Sequence, residues 1–576
     1  MSKLSVDQKN IYDLLADKKS DFLIPDYQRP YAWDEDQCQT LWDDIFTFSF
    51  PNNNSEEFDD NEEYFLGTIV TFKNERGKQE VIDGQQRLTT LLLILRAFYD
   101  KFANMNDQNS KLTRDRIEKC IWRTDTFGNA DKNTLKIDSE VATDNDKEEF
   151  LELLKTGIVV ANSKSQYVAN YKFFQSKIDE FLSGYPSYFP YLPARILGNC
   201  ILLPIEAESQ DTALRIFSTL NDRGLPLSDA DIFKAQFYKY YGDKGEKDDF
   251  IEDWKMLEDI TGRIFHPNTG TPMDELFTRY MYFLRASEGN KSTTVESLRK
   301  FYERDKYKYL KKDETIEDLK SLALFWEDVA RQNKELFSDA IRKKLFVLNY
   351  APNGMWQYIV SVYYLKNNVD RRLDDATFGV FLDKITAFIF AYAITNPGVN
   401  ALRTPIFDEM IHVINGEDVT FERYKFNEAS ARSFFEHYKF TNGRPVTRSM
   451  ITWYAYTFGD QQLLDLNETF QLEHIFAKKR QEMEGGLSND SMLESLGNKI
   501  LLEDSINIRA SDFHFEDKKK IYSGEMRRGK NQEQSKVAEI AKIITYDTFG
   551  ESEIVERNTA ILDAFFSFLK RENLIG

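Results

Sequence analysis

The sequence predicts an α+β chain built from several domains, and three observations carry that reading. Residues 1–240 alternate short apolar runs of strand length with amphipathic helical periods. Residues 241–430 read as successive aromatic-rich helices with few motifs, a helical connector. Residues 431–576 carry two strand-like runs, separated by a Gly/Ser/Asn loop and followed by a helix, a ββα order. A chain of 576 residues exceeds one ordinary core. Its composition, 41% hydrophobic and 30% charged, supplies cores rather than a disordered chain. No fixed-period repeat and no low-complexity linker separates the parts, so the modules are expected to pack on one another.

In chain order, 64–72 reads as a strand. Asn74-Glu75-Arg76-Gly77 has turn chemistry, and 80–83 reads as the return strand. A helix follows with Leu88, Leu91, Leu92, Leu95 and Phe98 on one buried face. Residues 52–63, 101–111 and 124–146 are polar and read as loops. A second apolar strand, 200–205, precedes a helix from about Asp211, which Gly224 is placed to terminate. Ser228 can cap the next helix, with Asp231 three residues on. Near the C-terminus 470–476 and 497–502 read as strands, Gly485 to Asp490 as loop, and a helix begins near Ser511.

Composition limits the function. The net charge is −20. A uniformly acidic surface repels DNA, whose binding depends on Lys and Arg neutralising phosphates, so any DNA contact must use local basic patches. No run approaches the ~18 consecutive apolar residues of a membrane span. The first residues, Met1 to Asp7, lack the apolar run of a signal peptide. Cys38, Cys120 and Cys200 lie far apart without a CxxC pair, which argues against a zinc knuckle or disulfide framework. A cytoplasmic protein without membrane partners is expected.

His474 follows Glu473 directly in an apolar strand context. Phosphodiester hydrolysis needs a neutral imidazole to take a proton from water, and a hard divalent ion on oxygen ligands. Neighbouring strand residues face opposite ways, so both can reach one site only at a bulge or a strand end. Glu473-His474-Ile475, then Leu496 to Leu502 with Gly497-Asn498-Lys499, then Asn507, resembles the HNH fold of GmrD-like C-terminal domains. Those belong to modification-dependent restriction proteins of the GmrSD type. Phe515, Lys518 and Tyr522 resemble the F-x-x-K-x-x-x-Y helix of the same domains. The resemblance implies His474 as general base and Glu473 and Asn507 as ligands of Mg²⁺ or Mn²⁺. It implies that Asn498 ties the loop between the strands through backbone hydrogen bonds. The positive charge of Lys518 suits a phosphate contact. The family carries proline two residues after the isoleucine, where this chain has Ala477, a departure that falls on the strand exit.

Asp83-Gly84-Gln85-Gln86-Arg87 sits where a strand ends and a helix begins, a position that aims free N–H groups and the positive helix end outward. Gly84 permits the turn, Arg87 can fork onto phosphate oxygens, and Gln85 and Gln86 can donate to them. Asp83 can hold a metal ion or position a water. The same residues also suit an Asp-capped helix with exposed amides. No G-x-x-x-x-G-K-[ST] sequence occurs, which excludes a P-loop. Ile24-Pro25-Asp26-Tyr27-Gln28-Arg29-Pro30-Tyr31-Ala32-Trp33, the DGQQR run, and Phe217 to Asp231 with Asn221, Arg223 and Gly224 resemble, in order, three segments of GmrS-like domains of the ParB/sulfiredoxin fold. That resemblance implies binding and hydrolysis of a nucleoside triphosphate, often GTP, in defence against foreign or modified DNA. Tyr27, Gln28 and Arg29 suit nucleotide or DNA equally. Tyr31 and Trp33 suit a core. Asn221 and Arg223 can complete a phosphate site or form an ordinary helix-terminal turn.

The expectation is a single-chain, nucleotide-regulated, metal-dependent endonuclease of double-stranded DNA, in the one-chain arrangement of SspE-like proteins. The alternatives are a nucleotide-gated DNA-binding regulator, or an NTPase with a degenerate HNH domain. Self-assembly into a homo-oligomer is left open.

Overall fold

The turn at Asn74 closes by backbone hydrogen bonds, Gly77 N to Asn74 O at 2.9 Å and Asn74 N to Lys78 O at 3.0 Å. It joins two strands of a mixed sheet in a computed structural model. That structure describes residues 5–6, 8–141, 144–210, 212–213, 216, 228–398, 400–525 and 532–576. Two compact units divide the chain, Met1–Lys255 and Met256–Gly576.

In the first unit the strands are β1 (Ser5–Val6), β2 (Lys9–Asn10), β3 (Phe22–Ile24), β4 (Tyr64–Lys73), β5 (Gln79–Asp83), β6 (Trp122–Thr124), β7 (Ala130–Leu135), β8 (Ile137–Ser139) and β9 (Cys200–Ala207). The main sheet runs β1-β9-β4-β5-β3-β8, with β2 also on β9, and β6 and β7 form a separate hairpin. The β4–β5 pair is antiparallel, whereas β4–β9, β5–β3 and β3–β8 are parallel. β4 is irregular twice, between Phe65 and Gly67 against β9 and between Val70 and Thr71 against β5. A large apolar cluster holds Ile69, Val81, Leu88 and Phe98, and a smaller one holds Tyr27, Val70, Ile82 and Ile205. The alternation Ile69/Val70 and Val81/Ile82 thus feeds two cores from two adjacent strands.

Three expectations change in detail. The helix Gln85–Phe102 buries Leu93 and Ile94 as well as the predicted face, so it is enclosed rather than amphipathic. Residues 101–111 include the start of a helix, Gln108–Ile121, capped by Asp107. Residues 124–146 include β7 and β8. β7 is half exposed and polar, which is why its strand signal is weak in composition. Ser228 does cap Asp229–Lys244: its hydroxyl accepts from Asp231 N at 3.1 Å and Asp231 accepts from Ser228 N at 3.0 Å. The helix expected from Asp211 and its Gly224 terminator lie largely outside the described residues.

In the second unit, helices run through Pro272–Ser287, Asp313–Ala330, Asp339–Asn349, Met355–Asn367, Asp375–Thr395 and Arg403–Asn415. Asp375–Thr395 is, among the described residues, the one helix long and apolar enough to cross a membrane. Phe378, Leu382, Ile385, Phe388 and Ile389 on it are buried inside the unit, the pattern of a core helix. The helices of the expected connector share this unit with the C-terminal region. Ser449 Oγ donates to Tyr350 O at 2.7 Å, and Gln332 Nε2 donates to Leu464 O at 2.9 Å. The hairpin of β10 (Phe470–His474) and β11 (Lys499–Glu503) follows. The connection between them holds a helix, Lys478–Glu484, not expected from the sequence, ahead of the expected loop from Gly485. Two further helices come next, Asp504–Ala510 and Phe515–Tyr522, and Glu551–Arg571 covers the turn into β11.

Candidate active site and nucleotide-binding region

β10 and β11 pair antiparallel without a bulge, from Phe470↔Glu503 to His474↔Lys499. Alternation therefore continues through the last pair, and Glu473 and His474 face opposite ways. His474, as the last residue of β10, stands at the strand end that a shared site would need.

Glu473 is 6% exposed. Its Oε1 accepts from Lys518 Nζ at 2.5 Å and from Tyr522 OH at 2.9 Å. Burial raises the pKa of Glu473, and the Lys518 ammonium opposes that rise. Lys518 is wholly buried and also donates to His474 O at 2.7 Å. Its charge thus faces inward, because a buried carboxylate without a cation is costly.

The His474 ring keeps 19% of its surface exposed. Burial first, and then the Lys499 ammonium, holds its pKa below the usual histidine value, so the imidazole is neutral at pH 7. Its Nε2 lies 2.7 Å from Lys499 Nζ. Asn498 is fully buried; its Oδ1 accepts from Phe476 N at 2.7 Å, and its Nδ2 donates to Phe476 O at 3.1 Å and Leu493 O at 3.3 Å. Arg557 fixes the same turn from behind, donating to the carbonyls of Leu496 and Gly497 at 2.9 Å each. Arg557 is itself paired with buried Glu539 at 2.7 Å. Ala477 sits at φ −68°, the value proline would impose, so the strand exit keeps that geometry without the ring.

Asn507 is half-buried on Asp504–Ala510, the helix that follows β11 directly. Among the described residues no three His, Cys, Asp or Glu side chains converge on one point. A carboxylate and a carboxamide, with water and phosphate completing the shell, are nonetheless the oxygen donors a hard divalent ion takes. Lys518 and Tyr522 both bond Oε1 of Glu473 in this structure.

In the first unit, Gly84 adopts φ +89°, and a Cβ there would lie 2.9 Å from Thr68 O and from Ile69 Cγ1. The close strand-to-helix turn therefore demands glycine. Arg87 Nη1 donates to Thr68 O at 2.7 Å. Its guanidinium lies against Gly67, where a Cβ would come within 2.8 Å of it. Burial raises the pKa of Asp83, and the charges of Arg87 and Arg29 oppose that rise. Arg29, Asp83 and Arg87 thus form one charged group beside the irregular part of β4.

The glutamines are used differently. Gln85 donates to Arg29 O at 3.2 Å. Gln86 accepts from Ala32 N at 2.7 Å and donates to Pro30 O at 3.1 Å. Gln28 donates to Ile82 O at 3.0 Å and Val81 O at 3.3 Å. All three are buried, and their amides lock the 28–32 segment onto the 81–86 turn. Tyr27 is buried in the smaller core with its hydroxyl on Glu80 at 3.3 Å. Asn221 and Arg223 lie outside the described residues.

Lys499, Glu494 and Asn442 around His474, and Gly67 and Thr68 around Arg87, were not singled out by sequence reasoning. Gly67 had a signal, since an isolated glycine in a strand marks a bulge or a close approach. Lys499 had a weaker one, a lysine in an otherwise apolar β-run.

Both halves of the chain carry the segments of one class of protein. The N-terminal domain of GmrSD restriction endonucleases matches residues 11–238, and their C-terminal domain matches residues 422–564. The chain belongs to the GmrSD-type restriction endonuclease family. An uncharacterized protein of Methanocaldococcus jannaschii is 27% identical over 258 residues, covering 41% of this chain and 43% of that protein. The chain thus spans less than half the length of that relative.

Proposed function

We propose that the protein is a restriction endonuclease that hydrolyses phosphodiester bonds of foreign or modified double-stranded DNA, with divalent metal in the C-terminal site and nucleotide control from the N-terminal domain. The observation that carries the reading is the neutral, partly exposed imidazole of His474 at the end of β10, where the strand's alternation stops. Family membership supports DNA as the partner. Glu473 and Asn507 would hold Mg²⁺ or Mn²⁺, which when bound supplies charge for the scissile phosphate. His474 takes a proton from the attacking water. Asn498 acts on backbone and keeps the loop after His474 in place.

For the N-terminal domain, the charged group of Arg29, Asp83 and Arg87 suits the phosphates of a nucleoside triphosphate, GTP above others by the family resemblance. Gln28, Gln85 and Gln86 support that site by holding its backbone rather than by donating to the ligand.

Plasmid cleavage tests the chemistry. Wild type should cleave with Mg²⁺ or Mn²⁺ and lose activity in EDTA. A folded His474→Ala protein should lose ~10²–10⁴-fold in rate, the usual contribution of a positioned base. Wild-type cleavage by that variant would remove His474 from the role.

A further inference from the structure

Lys499 has no place in the chemistry above, yet its ammonium sits on the group that chemistry needs. It is fully buried, an uncommon position for a lysine. Its three protons have three acceptors: Asn442 Oδ1 at 2.7 Å, His474 Nε2 at 2.7 Å and Glu494 Oε2 at 2.8 Å. Glu494 Oε1 also lies 3.8 Å from His474 Nε2, so the carboxylate stands beside both partners. The pairing is set by the sheet, because His474 and Lys499 are directly opposite in the β10–β11 register.

A neutral imidazole has one lone pair for accepting a proton and one N–H. When an ammonium donates to one ring nitrogen, that lone pair is used and the other nitrogen carries the ring proton. Neither nitrogen can then take a proton from water. Nε2 is the ring atom that must face Lys499, because a half-turn about Cβ–Cγ would put Cε1 there, and a carbon cannot accept from the ammonium.

Resting on His474 as the base, we infer that Lys499 is a positioning residue that latches it: held by Glu494 and Asn442, it occupies the imidazole lone pair and keeps the nuclease idle until the ammonium moves off. Such a latch suits an enzyme that must not cut its host's DNA. The contact keeps the ring oriented for the moment of release, and Glu494 and Asn442 remain as anchors for the ammonium when it lets go of the ring.

The test has two arms on the full-length protein. In the first, ¹⁵N–¹H spectra of the histidine side chains are recorded for wild type, with His474→Ala assigning the signals. The inference expects Nε2 of His474 unprotonated and hydrogen-bonded, with the proton on Nδ1. A doubly protonated ring, or a lone-pair nitrogen open to solvent, overturns it. This arm needs no Lys499 variant to fold. In the second, Lys499→Met, of similar length without the charge, is compared with wild type on plasmid DNA with Mg²⁺ and no nucleotide. The rate should rise about 10-fold or more with KM little changed, and His474→Ala in the same background should abolish it. An unchanged or lower rate in a folded Lys499→Met protein overturns the latch while leaving the base assignment intact. Full cleavage by His474→Ala alone would instead remove the base assignment on which the latch rests.

Discussion

At the scale of residues, the second unit places its functional groups in pairs with buried lysines. Glu473 is held by Lys518, and His474 by Lys499. The Glu473–Lys518 pair is almost fully enclosed, so removing one partner strands a charge, whereas removing both leaves only polar or apolar groups to be packed. Lys518→Met should therefore cost about 3–5 kcal/mol of stability, and adding Glu473→Gln should recover much of the loss. Urea denaturation of the two single variants and the double variant measures this; additive losses would show that the pair is not coupled. The residue identities at this site were legible in the sequence. Their partners were not, because Lys518 and Tyr522 reach Glu473 across 45 and 49 residues of chain. A lysine on a helix is ordinarily a solvated group, and only the fold shows that Lys518 points inward.

At the scale of elements, the hairpin β10–β11 depends on what is packed behind it. The turn Leu496–Asn498 lies so close to the helix Glu551–Arg571 that a Cβ on Gly497 would fall 1.9 Å from Ile554 O. Gly497→Ala must push the helix and the turn apart, straining the hydrogen bonds from Arg557 to Leu496 and Gly497. The expected cost is ~1–3 kcal/mol or more, the range for forced overpacking. A loss of DNA cleavage larger than the loss of folded protein should accompany it. A thermal melt superimposable on wild type would contradict this account of the turn. The strands stood out in the sequence as apolar runs, but Gly497 reads there as the start of the second strand, whereas it lies in the turn that precedes β11. The short helices Lys478–Glu484 and Asp504–Ala510 did not stand out, since seven residues carry too little periodicity to separate helix from loop. In the first unit the same reasoning found β4, β5 and the turn at Gly84, and it missed β7 and β8. β7 is polar and half exposed and presents no apolar stripe, and β8, only three residues long, is largely buried and holds its place by pairing with β3.

At the scale of the whole molecule, two family domains on one chain and a net charge of −20 set the problem the protein has to solve. An acidic protein gains little from non-specific DNA attraction, so its DNA contacts must fall on local basic patches. On the proposed function, the charged group of Arg29, Asp83 and Arg87 binds nucleoside triphosphate, and occupancy there alters cleavage at His474. A ligand can do this only by binding two states of the protein unequally, and useful couplings are ~1–3 kcal/mol, about 5–150-fold. Arg87 is the residue on which to break the link, because its guanidinium lies on Gly67 and Thr68 and bears on Asp83. The most direct test is the rate of plasmid cleavage at fixed Mg²⁺ and salt, with and without saturating GTP or ATP, for wild type and Arg87→Ala. The account predicts that nucleotide changes the wild-type rate at least about 5-fold, and that Arg87→Ala cleaves at one rate in all conditions. A wild-type rate and DNA affinity unmoved by either nucleotide would contradict it.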